Sequence, residues 1–294
     1  MTRPGEIGHC GGVPDTRPTL APEIEDHYRD GRPEDDRLRR GAGVLEHLRT
    51  QEIVRRWISA DTPVSVLDVG GGTGVHAEWL ASDGHDVRLV DPVPLHVEQA
   101  RRRAETLDRP FAAALGDARS LDAADGSVDA VLLLGPLYHL VEPADRRRAL
   151  DEAARVVRPG GVVFAAAISR FASLHDGLHR GMLAEPAFRA IVDEDLRTGV
   201  HENPTGDPRW FTTAYFHRPD ELAGELTASG LTVEGVFGLE GPSGWLVRDG
   251  DDRLDLELHL AAARAVEREP SLLGVSAHLL AVGTVPDPPP RSGT

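Results

Sequence analysis

The sequence predicts an α/β fold in which helices cover both faces of a mostly parallel sheet. Three observations support this prediction. Short apolar runs alternate with longer amphipathic stretches along most of the chain, a pattern typical of β-α units. The run Val128–Leu134 is almost wholly apolar, as expected for a central strand that is buried on both faces. A glycine-rich turn lies between the first such run and the amphipathic stretch after it.

The first half of the predicted domain contains five strands and the helices that connect them. The strands are expected at Val64–Leu67, Val87–Val90, Phe111–Leu115, Val128–Leu134 and Gly161–Ile168. The helices are expected at Thr73–Ser82, Pro94–Leu107 and Asp145–Val157.

The alternation stops after Ile168 and returns near Arg218. Residues 169–217 are rich in charges and histidines, with helical pieces near Leu174–Met182 and Pro186–Leu196, so we expect a lid inserted after the fifth strand. The later elements are helices at Arg218–Ser229 and Asp252–Arg268, and strands at Leu231–Leu239 and Val275–Val285. Residues 63–285 are therefore predicted to form one domain.

The flanking segments differ from this domain. Residues 1–22 and 286–294 are rich in proline and glycine without periodicity, so we expect both to be disordered. Residues 23–62 are mostly helical and amphipathic in pattern, which predicts a helical cover over the domain. Tyr28, Arg37 and Arg49 in this cover are candidates to reach a ligand, although surface charge explains each arginine better, because arginines are abundant in the chain.

Composition excludes several classes of function. The formal net charge of −16 disfavours nucleic acid or membrane as the main partner. The chain contains no lysine, which excludes Schiff-base chemistry on lysine. Cys10 is the only cysteine, so no internal disulfide can form. The first residues lack the apolar stretch of a signal peptide, and we expect a cytoplasmic protein.

The segment Asp68–Gly74 carries the strongest functional signal. Glycines after a strand let the backbone turn sharply and approach a ligand closely. The helix that follows offers free amide groups and the positive end of its dipole. In an open parallel sheet, ligands bind beyond the carboxyl ends of the strands, where this segment is expected. A tight turn without a ligand is the alternative interpretation.

Four further features strengthen the signal. Asp91 ends the second strand, where an acid can accept both hydroxyl groups of a ribose. Gly116-Asp117-Ala118 ends the third strand, where an aspartate can accept from an adenine amino group. Leu134–His139 follows the fourth strand, and Arg158–Gly161 forms a turn before the fifth.

With these motifs the chain resembles the class I S-adenosylmethionine-dependent methyltransferases. Asp68–Gly74 is similar to the first motif of that family, and the resemblance covers Val64–Ile168 well, the last two strands weakly and the lid hardly at all. It implies a Rossmann-like sheet of seven strands in the order 3-2-1-4-5-7-6, with the last strand antiparallel. It also implies S-adenosylmethionine as the cofactor.

The resemblance also implies roles for individual residues. Gly70–Gly74 would lie beside the methionine part of the cofactor, Asp91 would bind the ribose, and Asp117 with the Ala118 amide would bind the adenine. The implied cofactor-binding residues are Asp68, Gly70, Gly71, Gly72, Thr73, Gly74, Asp91, Pro92, Asp117, Ala118, Leu134 and Gly135.

Methyl transfer from a sulfonium requires positioning of the acceptor and, for many acceptors, removal of a proton. His139 is the candidate general base, because a histidine titrates near neutral pH. Tyr138 beside it is expected to orient the acceptor or to border the sulfonium. The alternative is that His139 caps the following helix and Tyr138 packs in the protein. Tyr215 and His217, in the aromatic segment Phe211–Arg218, are expected either to line the acceptor pocket or to anchor the lid.

No metal site is predicted. His175 and His179 have the spacing of a metal-binding pair on a helix, but apart from the adjacent Asp176 no third ligand is evident, so an exposed helix face is the favoured interpretation. The chain is thus predicted to methylate an O, N or C atom of a small-molecule acceptor. The alternatives are a non-catalytic S-adenosylmethionine-binding partner protein and an NAD(P)-dependent oxidoreductase, whose glycine pattern Gly72–Ala77 matches formally. The sequence does not predict the oligomeric state.

Overall fold

A computed structural model describes residues 37–247 and 255–288 of the chain. The predictions for the disordered N-terminus, Cys10, Tyr28 and most of the C-terminal tail lie outside these residues. Within them, no helix combines the length and the apolar character needed to span a bilayer.

Nine strands and nine α-helices are described here in chain order within these ranges. The strands are β1 Ser65–Val69, β2 Asp86–Asp91, β3 Ala112–Leu115, β4 Val128–Leu133, β5 Val157–Ser169, β6 Val200–His201, β7 Ala214–His217, β8 Thr232–Gly238 and β9 His278–Thr284. The helices are α1 Ala42–Val54, α2 Val75–Ser82, α3 Pro94–Ala104, α4 Pro136–His139, α5 Pro143–Val156, α6 Ala172–His179, α7 Pro186–Thr198, α8 Pro219–Ala228 and α9 Leu256–Val266.

The main sheet has the strand order β3-β2-β1-β4-β5-β9-β8. Strands β1 to β5 are parallel, and β9 runs antiparallel to both β5 and β8. If the short strands β6 and β7 are left out and the seven long strands are numbered along the chain, this order is 3-2-1-4-5-7-6, and the last strand is antiparallel. The fold class implied by the resemblance is confirmed.

Two short strands were not predicted, so the described sheet has nine strands and not seven. Strand β7 pairs in parallel with the end of β5 through Ile168↔Phe216 and Ser169↔His217, and β6 pairs with β7. The physical reason is the length of β5, which has 13 residues. Backbone groups near its carboxyl end need hydrogen-bond partners, and the returning lid segment supplies them.

The core consists of two apolar layers on opposite faces of the sheet. Alternate residues of β5 divide between them, because successive side chains of a strand point to opposite faces. Phe164 packs with Leu80 and Ala100 of α2 and α3, whereas Val163 packs in the layer that contains Leu150 of α5 and Leu222 of α8. The prediction of helices on both faces is therefore confirmed.

The lid contains helices α6 and α7, close to the predicted pieces, and has a small apolar core of its own. The members of that core are Met182, Phe188, Ile191, Val192 and Trp210. The four-residue helix α4 was missed because it is too short to show a helical period.

Candidate active site

The turn after β1 depends on glycine at three positions. Gly70, Gly72 and Gly74 have φ values of 67°, 56° and 86°, in the left-handed region that glycine adopts without strain. A Cβ on Gly70 would lie 2.6 Å from Cγ of Pro136, and one on Gly74 would lie 2.7 Å from Cζ of Phe111. At Gly72, unlike at Gly70 and Gly74, no heavy atom lies within 4 Å of the position that a Cβ would occupy, so the missing side chain leaves open space.

A cleft of about 450 Å³ opens at this turn, along the carboxyl ends of β1, β2 and β4. This volume falls in the range of small-molecule sites. All predicted cofactor residues except Gly74 line the cleft, and so do Tyr138 and His139. Gly74 instead packs behind the turn, against Phe111.

Asp91 holds the turn in place. Its Oδ2 accepts a hydrogen bond from the backbone amide of Gly72 at 2.9 Å, and its Oδ1 accepts from the amide of Val93 at 2.9 Å. Nδ1 of His96 lies 3.1 Å from Oδ1. Each carboxylate oxygen has two lone pairs, so the side chain keeps acceptor capacity toward the cleft.

Asp68 has the opposite environment. Its side chain is fully buried, and neither carboxylate oxygen makes a hydrogen bond of normal geometry with a described residue, although the Ala77 amide lies close enough to lower its pKa. Burial, and secondly the negative charge of Asp91, raise the pKa of Asp68 to about 7. A buried acid whose pKa stays raised despite the Ala77 amide fits a ligand that brings positive charge into the cleft.

Asp117 is paired within the site. It accepts hydrogen bonds from Nη2 of Arg119 at 2.6 Å and from the Arg119 amide at 2.9 Å. Burial raises the pKa of Asp117, but the hydrogen bonds and charge of Arg119 outweigh burial and hold it below its usual range. Nη1 of Arg119 also donates to Asp145 at 2.9 Å, which ties β3 to α5.

Tyr138 and His139 occupy the short helix α4, which a proline begins after β4. The two rings meet edge to face with centroids 4.6 Å apart. The His139 ring stacks on Phe211 of the returning lid segment, with centroids 6.1 Å apart. The helix therefore places both side chains where the lid meets the cleft.

Tyr215 and His217 do not line the cleft, which corrects the prediction that they form its wall. Nε2 of the fully buried His217 lies 3.2 Å from Oε2 of Glu225. The guanidinium of Arg146 stacks on the Tyr215 ring at 3.7 Å, and Arg170 donates to Tyr215 Oη at 3.2 Å. Their contacts with charged groups favour the alternative that the sequence left open, in which the two residues anchor the predicted lid.

The segment predicted as a cover contributes residues to the cleft from α1 and from the residues before it, but not as expected at every position. Arg37 lines the cleft and pairs with Glu46. Arg49 is fully buried between Glu52 and Glu267, away from the cleft, and so reaches no ligand there.

A second polar group lies at the cleft that no sequence pattern predicted. His278, at the start of β9, lines it, and its Nδ1 lies 2.5 Å from Oε1 of Glu240 and 3.4 Å from Oε2 of Glu46. The three residues are far apart in the sequence, so no spacing pattern could have revealed them.

Comparison with known proteins agrees with the fold and the motifs. A family model described as a methyltransferase domain matches residues 66–161. The ubiquinone biosynthesis O-methyltransferase of Methylocella silvestris is 33% identical over 168 residues, which are 57% of this chain and 58% of that protein. The demethylmenaquinone methyltransferase of Paenarthrobacter aurescens is 31% identical over 182 residues, 62% of this chain and 67% of that protein.

The chain belongs to the class I S-adenosylmethionine-dependent methyltransferases. Among solved structures, a methyltransferase from Methanosarcina mazei matches with a TM-score of 0.54 and 16% identity, over 80% of this chain and 98% of that chain, which shows the shared fold. The chain spans less than two thirds of the length of the Methylocella protein. The open space at Gly72 and the buried Asp68 carboxylate fit the cofactor of the family, which carries a sulfonium and an ammonium group.

Proposed function

We propose that this protein transfers a methyl group from S-adenosylmethionine to a small-molecule acceptor. One observation carries the proposal: a single cleft is lined both by the motif residues of the family and by a separate set of side chains beyond them. That second set includes Tyr138, His139, Thr213, Leu239 and His278. The cleft therefore offers side chains to contact both a cofactor and an acceptor.

The proposed cofactor-binding residues keep the roles that the family resemblance implies. Asp91 receives the ribose hydroxyls, Asp117 and the Ala118 amide receive the adenine, and the glycine turn lies along the methionine part. Asp68 places a negative charge near the cationic groups. When bound, the cofactor supplies a methyl group that is already activated on sulfur, so the protein has mainly to position the acceptor and exclude water.

Helix α1 and the lid support a small acceptor. Arg37, Leu38, Glu46 and Thr50 close the cleft from the cover, and Thr213 closes it from the lid segment. Enclosure by separate segments suits a molecule that enters and leaves through their movement. The names of the two relatives, which refer to ubiquinone biosynthesis and to demethylmenaquinone, also support a small-molecule acceptor.

Tyr138 and His139 are proposed to contact the acceptor, because they stand where the cleft meets the lid. His139→Ala is expected to lower turnover and to leave cofactor affinity unchanged. Unaltered turnover in this variant would remove His139 from the acceptor site.

The proposal is tested by incubating the protein with S-adenosylmethionine and a panel of small hydroxyl, amine and carbon acceptors. The expected result is formation of S-adenosylhomocysteine and a methylated product with at least one acceptor. Cofactor binding without turnover over the whole panel would contradict the proposal and favour the non-catalytic binding protein. Binding of NAD(P) in place of S-adenosylmethionine would favour the oxidoreductase.

A further inference from the structure

Glu46, Glu240 and His278 form a cluster at the cleft that the proposed function has not used. They come from α1, from the residue after Leu239 and from the start of β9. Both carboxylates approach the same ring nitrogen of His278, Nδ1, at 2.5 Å from Glu240 and 3.4 Å from Glu46. The geometry therefore orients one imidazole from two sides.

Glu240 is itself held in a fixed orientation. Its side chain is 2% exposed, and its Oε2 accepts hydrogen bonds from Ser276 Oγ at 2.7 Å and from the His278 amide at 3.1 Å. Oε1 remains for Nδ1 of His278. A carboxylate fixed in this way selects the tautomer with the proton on Nδ1 and leaves the lone pair on Nε2.

Glu46 is held by a different partner. Arg37 donates to both of its carboxylate oxygens, with Nη2 2.9 Å from Oε1. The imidazole of His278 lines the cleft and its side chain is 23% exposed, so Nε2 is the ring nitrogen left to meet a ligand there.

We propose that His278 is the general base that removes the proton from a hydroxyl group of the acceptor, with Glu240 as its positioning residue. This inference rests on the proposed function and deepens it, because it assigns the acceptor to the class of hydroxylated small molecules. His278 Nε2 accepts the hydroxyl proton while the acceptor oxygen bonds to the methyl carbon and the carbon–sulfur bond breaks with its electron pair on sulfur. The imidazolium then releases its proton to solvent.

The charges around His278 support this role. Burial lowers the pKa of His278, but the charges of Glu46 and Glu240 and the hydrogen bond to Glu240 outweigh burial and hold it above its ordinary value. Burial alone would raise the pKa of Glu46, yet the charges of Arg37 and His278 lower it to about 2, so Glu46 stays anionic at working pH.

The other charged groups near His278 do not reverse the rise in its pKa. Arg37 opposes protonation of His278 but is paired with Glu46. His76 of α2, close to Glu46, is neutral near pH 7 because burial, and secondly His47, lower its pKa to about 3. The cluster thus favours a strong base whose protonated form is stabilised by two carboxylates.

A divalent cation is the competing occupant of such a cluster, since ligand atoms of the three side chains lie within 4.8 Å of one another. Two contacts disfavour it. The guanidinium of Arg37 already engages both oxygens of Glu46, and Oε2 of Glu240 already accepts two hydrogen bonds.

The test is the pH dependence of kcat/KM for hydroxyl acceptors, measured for the wild type and the variants His278→Gln and Glu240→Gln. In the wild type the rate is expected to fall on the acid side with an apparent pKa above that of an ordinary histidine. His278→Gln is expected to lose about 100-fold or more in kcat. Glu240→Gln is expected to move the acid limb to lower pH, because it removes a negative charge beside the imidazole.

Controls separate this inference from the proposed function. His259→Gln is the matched control, since His259 bonds to Ser243 outside the cleft. Calorimetric affinity for S-adenosylmethionine is expected to be equal in the wild type, His278→Gln and His259→Gln. These equal affinities show that lost turnover does not reflect a lost fold or cofactor site.

Several results would overturn the assignment. The assignment would be contradicted if His278→Gln kept full activity, or if the acid limb of the pH profile did not move in Glu240→Gln. It would also be contradicted if a chelator abolished activity and a divalent cation restored it. Turnover of amine or carbon acceptors without turnover of hydroxyl acceptors would agree with the proposed function but contradict the assignment of His278 as the general base. An absence of turnover with every acceptor would overturn both.

Discussion

Two neighbouring aspartates show how much a single residue's surroundings decide its chemistry. Asp91 is 4% exposed and receives backbone amides on both oxygens, whereas Asp68 is fully buried and makes no hydrogen bond of normal geometry within the described part of the chain. The sequence identified both residues from their positions at strand ends. It could not reveal how the two carboxylates differ, because one donor to Asp91, the Gly72 amide, comes from a different loop.

This difference predicts that cofactor binding releases a proton at Asp68. With a pKa of about 7, Asp68 is largely protonated at pH 6. A cationic ligand favours the ionised form and lowers that pKa, so affinity for S-adenosylmethionine is expected to rise between pH 6 and 7.5. Calorimetry in two buffers of different ionisation enthalpy measures the released proton.

Asp68→Asn, a neutral isostere, is expected to abolish most of this proton release and the pH dependence. Asp86→Asn is the control, because Asp86 is exposed at the start of β2. Equal proton release in the wild type and Asp68→Asn would show that Asp68 does not respond to the cofactor.

Among the elements, the glycine turn was the most predictable and the lid the least. The turn is local, so its glycines and the strand and helix beside it appear directly in the sequence. The lid contacts depend on pairing with β5 and on buried charges, which no local pattern records. Arg146–Arg148 illustrates this: the run suggests an exposed helix face, yet Arg146 is only 2% exposed.

Gly72→Ala tests whether the glycine turn contacts the cofactor. A left-handed alanine is expected to cost about 1 kcal/mol of stability, without a clash because the position is open. Its methyl group would enter the cleft, so the dissociation constant for S-adenosylmethionine is expected to rise about tenfold or more. Gly206→Ala is the matched control, since Gly206 also has positive φ and open space but lies in the lid. Equal affinities for S-adenosylmethionine in the two variants would contradict a contact between the glycine turn and the cofactor.

Arg146→Met tests the anchor between α5, α8 and β7. Arg146 donates to Glu225 at 2.8 Å and to the carbonyls of Val141 and Leu140 at 2.6 and 3.0 Å. Loss of Arg146 leaves two carbonyls without its donors and leaves the partly buried Glu225 with His217 but without a guanidinium, so the free energy of unfolding is expected to fall by about 3 kcal/mol or more. Urea unfolding measures it.

Arg147→Met is the control, because Arg147 forms only an exposed pair with Asp151. Its effect is expected to stay below about 0.5 kcal/mol. Similar losses in both variants would show that the buried contacts of Arg146 contribute little.

At the scale of the whole molecule, the cleft joins segments from both ends of the described chain. The cofactor side was predictable, because the motifs follow successive strands and parallel strands bring their carboxyl ends to one edge. The acceptor side was only partly predictable. His139 follows a strand and was found, whereas His278 meets Glu46 and Glu240 only after β9 inserts beside β5.

Calorimetric titration with S-adenosylmethionine tests most directly whether this cleft binds the cofactor of its family. The wild type is expected to bind one molecule per chain, and Asp91→Asn is expected to bind it at least a few-fold more weakly, a loss of about 1 kcal/mol for a charged hydrogen bond. Saturable binding of NAD(P) with no heat from S-adenosylmethionine, or equal affinity in Asp91→Asn, would contradict this assignment of the cleft.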